Sequence, residues 1–130
     1  MPLIKLLLES KTWFWLSLIY SGAITTLFLV PTGGFPRVNF SAADKVAHIL
    51  IFFVLTCLWL SYIFRKTGRV TNRDILILLL SVLFYGIIIE IVQELFTDAR
   101  TADFWDVMAN MGGAIVGVLF FQRVKHFLKT

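Results

Sequence analysis

With 130 residues, 58% of them hydrophobic and 15% charged, and a mean hydropathy of +0.85, the chain is too apolar for an ordinary soluble domain and falls among small polytopic membrane proteins. Its single cysteine, Cys57, excludes an intramolecular disulfide and is read as a small packed or lipid-facing side chain. The net charge of +4 raises nucleic acid as a partner, but only the placement of the basic residues decides whether that reading stands.

Residues 1–12 carry Lys5 and Lys11 and lead into a first apolar run over 13–30. As a helix, 18 uncharged residues span about 27 Å, close to the hydrocarbon thickness of a bilayer. Secretory signal peptides share a basic start before an apolar run. This run is longer than their apolar core and ends in Val-Pro-Thr-Gly-Gly without an Ala-x-Ala site, so a retained helix is expected. Pro31, Gly33, Gly34 and Pro36 then break helix and predict a loop over 31–43. Ser41, with Asp44 three residues on, reads as the cap of the next helix. A second apolar run covers 46–64, interrupted early by His48, and Arg65, Lys66, Arg69 and Arg73 form a short basic loop with Gly68 as its breaker. A third run covers 75–92, with Thr71 or Asn72 as its cap, and a fourth covers 105–121 before a tail holding Arg123, Lys125, His126 and Lys129. The expected fold is all-α, an integral membrane four-helix bundle forming a single transmembrane domain over 1–130.

Four spans place both termini on one side. The termini and the middle loop together hold Lys5, Lys11, Arg65, Lys66, Arg69, Arg73, Arg123, Lys125 and Lys129, against Arg37, Lys45 and Arg100 opposite. By the positive-inside rule the termini are expected to be cytoplasmic. Acids run the other way, with Glu9 and Asp74 inside and Asp44, Glu90, Glu94, Asp98, Asp103 and Asp106 outside. The basic pI is therefore an orientation signal, and no nucleic-acid partner is expected. Trp13, Trp15, Trp59, Tyr62 and Trp105 fall near span ends, where amphipathic rings settle.

The segment between the last two spans, EIVQELFTDARTADFWDVMAN over 90–110, sets six ionisable groups between apolar runs. Such charges must be paired, hydrated or used, since an unpaired one deep in a bilayer costs at least about 2.5–3.5 kcal/mol. The topology brings three polar groups to the outer ends of spans two, three and four: Asp44, Lys45 and His48; Glu90, Gln93 and Glu94; and Arg100, Asp103, Asp106 and Asn110. Spacing within each group is helical, with Asp44 and His48 four apart, Gly86, Glu90, Gln93 and Glu94 on one expected face, and Asp103, Asp106 and Asn110 three and then four apart. Gly113 and Gly117 follow Asn110 as a G-x-x-x-G that admits a neighbouring helix. The polar groups are expected to point into the bundle.

These residues resemble the VanZ-like membrane proteins. The resemblance rests on Asp44-Lys45-x-x-His48, on Gly86-x-x-x-Glu90-x-x-Gln93, and on Arg100 to Gly117 read as R-x-x-D-x-x-D-x-x-x-N-x-x-G-x-x-x-G, covering roughly residues 44–117. The family's named member is associated with resistance to the lipoglycopeptide teicoplanin. A multi-pass protein of the bacterial cytoplasmic membrane is therefore implied.

Any one of these polar residues can be read as part of a network that fixes helix register; so many acids at one membrane depth exceed what packing requires. Three functional readings follow. As a binding module, Lys45, Arg100, His48, Gln93 and Asn110 offer donors to a membrane lipid or lipid-linked cell-wall precursor. As an enzyme, Asp44, His48, Glu90, Asp103 and Asp106 supply ligands for a divalent metal, or an acid/base pair acting on a lipid-linked phosphate. As a proton or cation path, the same groups lack comparable continuation toward the cytoplasm, where spans two to four offer uncharged residues such as Ser81, Thr56 and Cys57, so transport ranks last. The binding reading is preferred, with catalysis and oligomeric state left open.

Overall fold

The computed structural model describes residues 2–29, 42–96 and 104–128. Five α-helices follow one another: α1 (Pro2–Leu8), α2 (Ser10–Leu29), α3 (Ala42–Thr67), α4 (Asn72–Phe96) and α5 (Phe104–Val124), with a closing 3-10 turn over Lys125–Leu128. Four of them are long and apolar enough to cross a membrane, and no strand occurs among the described residues.

The element ends depart from the sequence expectation in one direction. Arg65 and Lys66, expected in a loop, form the last turn of α3, and α4 runs past the apolar run through Gln93 and Glu94, as their helical spacing with Glu90 requires. Charged residues at a membrane boundary do not stop a helix; capping groups do. Gly68 stops α3, with φ +79° and its amide donating to Phe64 O at 2.8 Å, the left-handed exit that glycine takes without strain. Thr71 starts α4 through a reciprocal cap: its amide donates to Asp74 Oδ2 at 3.0 Å and the Asp74 amide to Thr71 Oγ1 at 3.1 Å. The short helix α1 was not expected; Pro2 opens it, as proline suits a first turn, and Trp13 Nε1 donates back to Leu7 O at 2.9 Å.

Successive long helices run antiparallel. The starts of α3 and α5 and the ends of α2 and α4 meet at a polar end, where Phe28 stacks on His48 and Lys45 reaches Asp106. At the opposite, basic end, Phe14 packs on Tyr62 and Phe64 on Phe121. Helix α3 is the centre of the bundle: its Phe52 and Leu55 form a core with Ile24, Val82 and Ala114, and its Leu60 and Phe64 a second one with Val118 and Phe121. The outward stripe of α4, Leu80, Phe84, Ile88, Ile91 and Leu95, is apolar and exposed, as a lipid-facing surface must be.

Candidate functional site

The polar end is built on a close seam between α3 and α5. A Cβ placed on Gly113 would lie 2.2 Å from the carbonyl oxygen of Ile49, and one on Gly117 3.1 Å from that of Phe53. The two backbones therefore touch, and short polar side chains one turn above Gly113 can bridge them. Lys45 Nζ bonds Asp106 Oδ1 across this seam. His48 Nδ1 donates to Asn110 Oδ1 at 2.9 Å, and its Nε2 stands 3.7 Å from Asp106 Oδ1. The four residues are a double rung: Lys45 and His48 three apart on α3, Asp106 and Asn110 four apart on α5.

The other two helices close around it. Phe28 of α2 lies parallel to the His48 ring, centroids 5.1 Å apart and planes at 17°, which fixes the plane of the imidazole. Gln93 of α4 donates from Nε2 to Phe28 O at 2.6 Å, satisfying a last-turn carbonyl of α2 that has no partner within its own helix. Gly86 makes room for Asn110, whose Nδ2 would lie 3.0 Å from a Cβ there. His48, Glu90, Gln93, Asp106 and Asn110 are all buried, none more than 6% exposed.

Of the residues singled out in the sequence, Lys45, His48, Asp106 and Asn110 make direct contact, and Glu90 and Gln93 are buried on the end of α4 that meets Phe28. Glu94 is exposed, which corrects its expected place on the inward face. It follows Gln93 by one residue, about 100° round the helix, and Gln93 is the one that faces α2. Arg100, Asp103 and the side chain of Asp44 lie outside the described residues, as does the Ser41 cap. Among the described residues no three of His, Cys, Asp and Glu are grouped to hold a metal ion.

A second polar layer went unread in the sequence. Ser17, Ser21 and Thr25 recur every fourth residue on α2, each donating to the carbonyl four residues back. Trp59 Nε1 donates to Ser21 Oγ at 3.2 Å, Tyr85 shares a hydrogen bond with Thr25, and Tyr20 donates to Ile51 O at 2.7 Å. Trp59 is thus an inward donor as well as a ring near a span end. The i, i+4 recurrence of small hydroxyls was the available signal. It ties α2 to α3 and α4; because the hydroxyl protons return to the α2 backbone, it forms a stitch and not a path.

The model of the VanZ/LLP1 family matches residues 3–126, a span that includes every residue of the polar end. The chain belongs to the VanZ/LLP1 family. No curated protein and no solved structure matches it. As a VanZ/LLP1 protein with four helices of membrane-spanning length, it is a multi-pass membrane protein.

Proposed function

We propose that the polar end of this VanZ/LLP1 protein is an extracytoplasmic pocket in the bacterial cytoplasmic membrane, with both termini cytoplasmic, that engages a cell-envelope lipid or glycopeptide and so affects susceptibility to lipoglycopeptides such as teicoplanin. One observation carries the reading: His48, Asp106 and Asn110, all buried, and the half-buried Lys45 converge in bonded pairs across the α3–α5 seam. The seam does not need them to set its register, because Gly113 and Gly117 already fix it by backbone contact. A buried ion pair is a poor source of stability, since desolvation offsets much of its attraction. What the four residues offer is a set of ammonium, imidazole and amide donors held by one acid, able to turn to an anionic or amide-rich ligand. Orientation rests on the basic residues Arg65, Lys66, Arg69, Arg73, Arg123 and Lys125 gathering at the opposite end.

His48→Gln and Asp106→Asn test this in cells whose teicoplanin susceptibility depends on the protein. Each variant is expected to lose the effect while remaining in the membrane at a measurable level. Undiminished effect from both contradicts the pocket.

A second reading, a membrane-embedded enzyme acting on a lipid-linked phosphate, draws on the fixed His48 ring, oriented by Asn110 with Nε2 toward Asp106, an arrangement suited to general acid/base work. Thermal melts after chelation and readdition of Mg²⁺, Mn²⁺ or Zn²⁺ separate its metal-dependent form from the binder: a metal-specific gain favours the enzyme, and no response favours the binder.

A further inference from the structure

Beside the buried rung, a cleft of about 290 Å³ opens on the outside of the bundle, lined by Lys45, Trp105, Met108 and Ala109. Its volume is at the lower edge of the roughly 300–1,000 Å³ of small-molecule sites. Trp105 and Met108 are 64% and 49% exposed on the outer surface of the bundle, the surface that hydrocarbon covers around a membrane-spanning helix. Among the described lining residues three are apolar and the charged one is Lys45, whose side chain is 15% exposed while it bonds Asp106. Trp105 and Asp106 are consecutive on α5, and Ala109 precedes Asn110. The cleft and the buried rung are thus two faces of the same turns.

Resting on the pocket reading above, we infer that this cleft is the lateral entry subsite for a net-anionic, phosphate-headed membrane lipid, whose chain lies along Trp105, Met108 and Ala109 and whose phosphate takes Lys45 in exchange with Asp106. The charge matches, because the cleft presents a cation at its polar rim and hydrocarbon below it. A water-soluble glycopeptide has no use for a wall that faces the bilayer. The exchange has a consequence inside the bundle: Asp106, while bonded to Lys45, already stands 3.7 Å from His48 Nε2, so its release frees it to turn to the imidazole that bonds Asn110.

Native mass spectrometry of the purified full chain, titrated with phosphatidylglycerol or phosphatidylcholine, tests this. The wild type is expected to retain a single phosphatidylglycerol about tenfold better than phosphatidylcholine, the size of one charge-assisted hydrogen bond. Ala109→Phe, which fills the cleft, removes the bound lipid. The charge-balanced pair Lys45→Gln with Asp106→Asn removes the preference, and thermal melts of both variants report folding. Equal retention of the two lipids by the wild type overturns the inference, as does a preference that survives at Lys45 and Asp106 but vanishes in Arg69→Gln with Arg73→Gln at the basic end. If lipid selectivity is present but Asp106→Asn leaves susceptibility unchanged, the pocket's cellular role fails and the subsite stands. Loss of the effect on susceptibility without selective lipid retention leaves the pocket and removes the subsite.

Discussion

The two ends of this bundle treat charge in opposite ways. At the basic end Lys66, Arg69, Arg73 and Arg123 are exposed, and the interior is filled by Leu60, Phe64, Val118 and Phe121. At the polar end the interior itself is His48, Glu90, Gln93, Asp106 and Asn110, and the large apolar side chains Trp105 and Met108 lie outside. One end is built as a membrane protein's end can be built cheaply, with charges in water; the other places charge where it is costly. An arrangement inverted in this way at one end only is expected of a site, because a need for stability alone would have produced two ends alike.

Substitutions can break this contrast, and the largest effect is expected at the seam beneath the rung. Gly113→Leu drives a side chain into the Ile49 carbonyl, a backbone atom that cannot turn aside, so folded protein should be absent from membranes. Its neighbour is the control: a Cβ on Gly112 meets nothing within 4 Å, and Gly112→Ala should hold or gain up to about 1 kcal/mol from helix propensity. Equal tolerance at 112 and 113 in a fluorescence-detected folding assay would remove the seam.

Next in size is the ion pair. Lys45→Met leaves Asp106 buried and alone among its described contacts with α3 except for His48, and stranding a buried charge costs about 3–5 kcal/mol. Lys45→Met together with Asp106→Met should recover most of that in detergent melts. If the single substitutions are as mild as those at the basic end, the pair is solvated and the contrast between the ends is lost.

The expected loss from Gln93→Leu is smaller. It removes the bond to Phe28 O, and hydrogen bonds within membrane bundles are worth about 0.6 kcal/mol on average and at most about 1.7. Lys66→Gln, exposed at the basic end, should stay within about 0.5 kcal/mol of the parent, read in the same melts.

Much of this was legible in the chain. Long apolar runs named the four spans because hydrocarbon admits only helices there, and the i, i+4 spacing of Asp106 and Asn110 set both on one face. The end of α3 was misjudged at Arg65 and Lys66, since apolarity marks the hydrocarbon and not the last hydrogen-bonded turn; Gly68 marks the end of α3 and Thr71 the start of α4, and their chemistry was visible. Which of two adjacent acids faces inward was not visible, because Glu90 and Glu94 differ by only about 40° of helix rotation and the choice falls to the partner helix. Ser17, Ser21 and Thr25 left hydropathy almost unchanged, so the bonds from Trp59 and Tyr85 had no trace outside their spacing. Nothing in the sequence indicated the cleft, which exists only once Lys45 of α3 stands beside Trp105 and Met108 of α5.

The most direct test of the polar end as a ligand site is the susceptibility to teicoplanin of cells carrying the double substitution Lys45→Met with Asp106→Met, measured beside the amount of that protein in the membrane. Protein is expected at close to the parental level with the effect on susceptibility gone. Parental susceptibility at parental protein level would contradict it and leave the pair as framework alone.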